Sequence, residues 1–240
     1  MSDGKNLRHP TLLTNNALKI IALITMTLDH IGVQIYPDTV WLRILGRIAF
    51  PIFAYMISEG ARYTRNRARY LGTMAAMATL FQIVFFLVSG TLYMSIFFTF
   101  TLSVSLIYLL EAALRDRTPA RITLATLGLL AAYVICEHLP HLLKDYSFFV
   151  DYFFIGVLIP VVLYFLTERW QKLLATALLL SLLTITSGIA LQWWSLLALI
   201  PLSLYNGERG KYKLKYLFYI YYPLHLVVIF AISILMRVLK

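Results

Sequence analysis

Apolar residues in this chain are gathered into long runs divided by short polar stretches. Nine such runs can be read, approximately 17–36, 40–60, 70–89, 93–113, 120–137, 152–167, 172–188, 190–205 and 216–236. Most approach the roughly 20 residues that a helix needs to cross the hydrocarbon core of a bilayer. The pattern predicts an all-α fold, a polytopic transmembrane helix bundle of about nine spans, with residues 1–240 forming one membrane domain. The runs at 152–167 and 190–205 are short, and a tilted or broken helix in either would alter the count. The first run lacks a small-residue cleavage site and continues through Asp29 and His30, unlike a cleaved signal peptide. No linker or low-complexity segment is left over. The one longer stretch outside the runs, HLPHLLKDYSFFVD at 138–151, reads as an amphipathic piece on the membrane interface.

Composition decides what solvent these runs meet. Of 240 residues, 60% are apolar and 13% charged, with a mean hydropathy of +0.78, whereas soluble domains are about half apolar and a quarter charged. The partner implied is the lipid bilayer. The formal charge of +10 does not point to nucleic acid, because the basic residues lie in short clusters between apolar runs, as cytoplasmic loops do. With the N-terminus cytoplasmic, only Arg43, Arg47, Lys144, Arg237 and Lys240 fall outside, leaving sixteen of the 21 Lys and Arg on the inner side, among them Lys5, Arg8 and Lys213. That asymmetry predicts an odd number of spans and an external C-terminus. The single Cys136 excludes a disulfide within the chain, and without a CxxC or Cys/His cluster no metal site is expected.

Against this background the polar residues inside the runs stand out. TMTLDHIGVQ places Asp29 and His30 in the first run, and at about 1.5 Å per residue His30 lies roughly 20 Å from the inner edge. A central Asp costs at least about 2.5 kcal/mol on insertion scales, so such groups mark sites or paired packing contacts. WLRILGRIAFPIFAYMISEG follows with Arg43 and Arg47, four apart and on one helix face at the same depth. Arg47 is too deep to snorkel and is expected to pair with Asp29; Arg43 either snorkels or serves the site. Gly46 permits close helix approach and Pro51 should kink the helix just beyond. Glu59, at the inner end beside Arg62 and Arg65, reads as a solvated surface pair or as part of the site. Lys19 precedes His30 by eleven residues, which returns to within about 20° of the same face. One stripe therefore carries a cation near the cytoplasm and an imidazole deep in the membrane. A phosphate-bearing donor could rest its anionic end on Lys19 and the basic loop at 62–69, including Arg62, Arg65 and Arg69. The last run, KYLFYIYYPLHLVVIF, repeats the theme with His225 above Lys215, after Pro223 and amid Tyr219, Tyr221 and Tyr222. Gln82 and Asp151 are further polar residues at membrane depth.

ALKIIALITMTLDHIG, LRILGRIAFPIFAYMISEGARYTRNRARY and the closing YLFYIYYPLHL together resemble the TraX family of integral membrane proteins, named for the conjugation protein that N-acetylates F-type pilin. That family is similar to a wider class of multi-span membrane acyltransferases, in which a helix 1 histidine follows a basic residue with ten positions between them. Lys19 and His30 match that spacing, with Lys for the more usual Arg. The resemblance implies a bacterial inner-membrane acetyltransferase that takes acetyl groups from cytoplasmic acetyl-CoA, its phosphates on Lys19 and the arginine loop, to an amine or hydroxyl acceptor on a peptide, sugar or lipid. His30 would be the general base, or be acetylated itself, with Asp29 and His225 as further catalytic groups. Arg47 would add to the donor site, and Arg43, Gln82 and Tyr222 would meet the acceptor. Because Asp29 and His30 diverge by about 100° on a helix, direct contact between them is not expected. The competing class is a proton-coupled transporter relaying protons through Asp29, His30 and His225, and a third reading is an assembly subunit without chemistry. The transporter reading lacks an internal repeat to support it.

Overall fold

The computed structural model describes residues 12–211 and 215–239. Lys5, Arg8, Lys213 and Lys240 of the charge count lie outside the described residues, as do the side chains of Lys215 and Tyr219. In chain order the helices are α1 (Asn15–Gln34), α2 (Val40–Gly46), α3 (Ala49–Tyr63), α4 (Arg67–Ser89), α5 (Ile96–Asp116), α6 (Pro119–Tyr133), α7 (Leu139–Leu142), α8 (Phe153–Phe165), α9 (Arg169–Ser187), α10 (Leu199–Ser203) and α11 (Lys215–Val238). The protein is an all-α polytopic membrane protein. Among the described residues seven helical stretches are long and apolar enough to cross a bilayer. The two runs that looked short form short helices. Phe153–Phe165 has 13 residues, about 20 Å of helix, and 190–203 is a 3₁₀ stretch over Ala190–Ala198 that passes into α10.

Local chemistry explains the boundaries. The second predicted span is broken into α2 and α3 at Arg47 and Ile48, because Pro51 has no N–H to return to the Arg47 carbonyl and its ring crowds that position. Asn66 and Thr118 cap α4 and α6 by accepting from the Arg69 and Arg121 backbone N–H groups. Residues 138–151 do not form one amphipathic helix. A π-helical turn (Val134–His138), α7 and a 3₁₀ turn (Lys144–Tyr146) lead into a two-residue strand at Phe149–Val150, which pairs in parallel with Tyr93–Met94. Pro140 inside this segment, and the backbone bonds drawn off by residues 92–94, prevent a continuous helix.

The contacts gather into two compact units. The first comprises residues 1–53 and 191–240, the second residues 54–190. In the first, α1 packs on α2 and on α11, around Leu23, Met26 and Ala49 with Phe53, Tyr221 and Tyr222 against them. In the second, α5 is central, packed by α4, α6 and α8, with Val104, Ile107, Val157 and Val161 in its core. Many large apolar residues point outward, such as Leu87, Leu178 and Val227, as suits helices whose outer solvent is lipid.

Close approach of α1 and α2 depends on glycine. A methyl group added at Gly46 would overlap the Asp29 side chain, 2.5 Å from its Oδ1. Gly46→Val is therefore expected to lower stability by about 1–3 kcal/mol, read as an earlier thermal transition of the detergent-solubilised protein. Gly72→Ala, in a helical position with nothing within 4 Å, should leave it unchanged or raise it by up to about 1 kcal/mol.

Candidate functional site

The start of α1 is tied down before any chemistry begins. The Thr14 hydroxyl accepts from the Ala17 N–H, the Asn15 N–H donates to the Glu208 carbonyl at 2.8 Å, and the Asn206 N–H donates to the Leu13 carbonyl at 2.9 Å. This clasp brings Arg209 near enough to Lys19 for its like charge to act on that amine. A concentration of positive charge results at the beginning of the helix that carries Asp29 and His30. Arg209 had no helical spacing to single it out; the loop's return to α1 is a tertiary contact.

Farther along α1, Asp29 and His30 face different neighbours. Asp29 turns to α2. Arg47 Nη2 donates to both of its carboxylate oxygens at 2.5 Å, and Arg43 Nε lies 3.6 Å from Oδ1. The expected Asp29–Arg47 pair is thus formed, with Arg43 as a second, looser cation. Asp29 and Arg47 are mostly buried and Arg43 is about one-third exposed.

His30 turns to α11. Its Nδ1 lies 2.9 Å from the Met26 carbonyl and 3.3 Å from His225 Nε2, with the two rings edge to face at a centroid distance of 5.0 Å. His225 Nδ1 in turn lies 3.0 Å from the Tyr221 carbonyl. Since a carbonyl only accepts, both Nδ1 atoms carry the proton. His225 Nε2 is then a lone pair facing the His30 Nδ1–H, and the lone pair of His30 sits on its own Nε2. Tyr221 stacks on the His225 ring at 5.3 Å and Tyr222 meets it edge-on at 5.4 Å. The Thr27 hydroxyl donates to the Leu23 carbonyl at 2.8 Å, so Tyr221 donates its O–H to Thr27 across 2.7 Å. His30, His225, Thr27 and Tyr221 form one polar knot between two apolar helices. Thr27 and Tyr221 were legible in principle, one helical turn below His30 and His225 on the same faces.

Other expectations are redistributed. Arg62 belongs to the second unit and binds the Tyr164 and Leu166 carbonyls while its guanidinium lies 5.2 Å over the Tyr164 ring. Those contacts hold the end of α8. Glu59 does not form a solvated pair with Arg62 or Arg65. It accepts from Lys172 Nζ at 2.8 Å in a buried pair, the ammonium resting 5.4 Å from the Tyr55 ring. Arg65 and Arg69 are exposed on the second unit. There too, Arg67 pairs with Glu111, which also accepts from the Tyr164 hydroxyl. Gln82 is in the same unit and donates to the Thr91 carbonyl at 3.4 Å. Asp151 accepts through its backbone carbonyl from the Thr99 hydroxyl. Asp29 is bonded to Arg47 on α2 and, among the described residues, makes no hydrogen bond to His30, as the divergence of adjacent side chains on a helix leads one to expect.

A helical membrane protein with an intramembrane histidine pair and a clustered cation at the start of the same helix is the class defined so far. The profile of the TraX protein family matches residues 14–233, and the chain belongs to that family. It is 25% identical over 237 residues, 88% of this chain and 92% of the other, to a probable fimbrial assembly protein FimC, serogroup H1, of Dichelobacter nodosus. A shorter stretch of 38 residues is 53% identical to the uncharacterized protein RP591 of Rickettsia prowazekii, covering 16% of this chain and 15% of that one. No solved structure matches.

Removing one partner of the α1–α2 ion pair strands the other charge. Asp29→Ala is expected to cost about 3–5 kcal/mol, while Asp29→Leu combined with Arg47→Met recovers most of that loss. A double-mutant cycle on thermal unfolding in detergent checks both, and additive losses would mean that the pair does not couple.

Proposed function

We propose that the protein is an acyltransferase of the bacterial inner membrane, oriented with its N-terminus in the cytoplasm, which moves an acetyl group from acetyl-CoA to an amine or hydroxyl acceptor. The observation that supports it is the pair His30–His225 with its proton positions set by two helix carbonyls, which leaves His30 Nε2 as a base at membrane depth. Family membership supports the reaction class, and the fimbrial assembly relative makes a pilin N-terminus one candidate acceptor.

In this reading the anionic end of acetyl-CoA rests near Lys19 and Arg209. Eleven residues of α1, about 16 Å of rise, separate that charge from His30, and the flexible arm of the donor spans them. His30 Nε2 takes the proton from the acceptor as its nitrogen or oxygen attacks the thioester carbonyl carbon. The tetrahedral intermediate collapses, the carbon–sulfur bond breaks, and the imidazolium returns its proton to the departing thiolate. During this cycle His225 Nε2 and the Met26 carbonyl accept from the His30 Nδ1–H, keeping the ring in position. Arg43, partly exposed beside Asp29, and Tyr222, against His225, remain candidates for contact with the acceptor. The proton-transport reading would need Asp29 to let go of Arg47.

Purified protein in lipid nanodiscs, given radiolabelled acetyl-CoA and candidate acceptors, tests the proposal. His30→Ala should lower transfer by about 10²–10⁴-fold, the usual contribution of a positioned base, with the donor's Kd little changed. His225→Phe, which keeps the ring but removes the acceptor behind His30, should lose less. Failure to bind acetyl-CoA, together with substrate flux in proteoliposomes that His30→Ala abolishes, would overturn the enzyme reading in favour of transport.

A further inference from the structure

Helices α1 and α11 run in the same direction and, among the described residues, are bonded through side chains at three levels. The Tyr221 hydroxyl donates to Thr27 at 2.7 Å, His225 Nε2 accepts from His30 at 3.3 Å, and the Ser233 hydroxyl donates to the Gln34 carbonyl at 3.1 Å. The histidine bond is the longest of these, and its proton is shared with the nearer Met26 carbonyl at 2.9 Å. A displacement of α11 by about half an ångström would carry it past the length at which a hydrogen bond survives. It therefore depends on whatever holds α11 in place. The backbone of α11 is weak at this point, because Pro223 lies inside the helix and leaves out the rung that would run back to the Tyr219 carbonyl.

We propose that Tyr221 is the positioning residue of the histidine pair: its hydroxyl, bonded to Thr27, fixes the turn Tyr221–His225 against α1, so that His225 Nε2 stays on the His30 Nδ1–H. Different parts of this one residue act on the pair. Its backbone carbonyl accepts from His225 Nδ1 at 3.0 Å, its ring lies at 10° to the imidazole plane with centroids 5.3 Å apart, and its hydroxyl reaches across to α1. The bond runs in one direction, since the Thr27 proton goes to the Leu23 carbonyl and Thr27 then accepts. It also has no substitute. Thr27 and Tyr221 border an open cleft of about 310 Å³ whose other walls, His225 apart, are aliphatic, so a hydroxyl that loses its partner there finds no other hydroxyl or amide side chain on those walls. The placement of the pair follows from these contacts; its consequence for turnover rests on the acyl-transfer reading, in which His30 Nε2 takes the acceptor's proton.

Histidine labelled with an NMR-active ring nitrogen, in the full-length protein in lipid nanodiscs, provides the test. The signal to follow is the accepting nitrogen of His225, whose resonance moves when its hydrogen bond is lost. Tyr221→Phe keeps the stacked ring and removes only the hydroxyl; it should move that signal toward its position in His30→Ala, where the donor is gone. Thr27→Val should move it in the same direction without altering the ring, and the double variant should move it no farther than either alone. Ser233→Ala, which removes the bond about two turns beyond His225, should move it far less. Acetyl transfer should fall by about three- to tenfold in Tyr221→Phe, the rate equivalent of one buried hydrogen bond, with the donor's Kd unchanged. A His225 signal that stays in place in Tyr221→Phe, or moves as far in Ser233→Ala, would overturn the positioning role. An absence of transfer in the unsubstituted protein would remove the acyl-transfer reading alone, and the histidine signals would still decide the role of Tyr221.

Discussion

The structure depends on one constraint: a polar group placed in hydrocarbon has to find its partner within the protein, because no water is there to provide one. The chain meets it locally wherever it can. Thr25, Thr101, Ser105, Thr176 and Thr184 each donate to the carbonyl four residues back. The two deep histidines obey the same rule with their Nδ1 atoms. What is a packing convenience for a hydroxyl becomes chemistry for an imidazole, since occupying one nitrogen decides where the lone pair goes. Which nitrogen of His30 keeps its lone pair is thus selected by the helix that carries it.

Charges cannot be satisfied within one helical turn in this way, and they tie helices together instead. Asp29 and Arg47 join α1 to the end of α2, and Glu59 and Lys172 join α3 to α9. Each pair costs desolvation on both sides, so its strongest effect is negative: any packing that separates the partners strands a charge in apolar surroundings. Gly46 is the geometric counterpart, since the carboxylate can reach Arg47 only where no side chain stands between α2 and α1. The ion pair fixes the rotation of α1, and with it the direction in which His30, about 100° away, must point.

These couplings explain which features were legible. The apolar runs fall on helical segments, seven of them long and apolar enough to cross a bilayer among the described residues, because hydrophobic length is written locally. The Asp29–Arg47 pair could be read because both charges lie at matching depths in adjacent runs joined by a short loop. Lys172 for Glu59 could not be read, since those residues are more than a hundred positions apart and their meeting depends on how α3 and α9 are rotated. Arg62 was read as a loop cation because its partners are backbone carbonyls of α8, which carry no sequence signal. The 3₁₀ course of residues 190–198 was equally hidden: its apolar content is that of a span, and the difference lies in backbone pairing alone. His225 stood out by its polarity, but its meeting with His30 required α1 and α11 to be neighbours running in parallel.

The same geometry bears on how a base at this site would work. Among the described residues no carboxylate hydrogen-bonds to either imidazole. The nearest one in sequence, Asp29, is engaged by Arg47 and approached by Arg43. Behind His30 stand a neutral imidazole and a carbonyl, which orient the ring without neutralising a positive charge on it. An imidazolium formed there would still be met by the Met26 carbonyl and His225 Nε2, both of which accept from its Nδ1–H. Under the proposed acyl transfer that fixed ring would pass a proton from the acceptor to the departing thiolate, a role that asks for a set position of the nitrogen and not for a lasting charge on it.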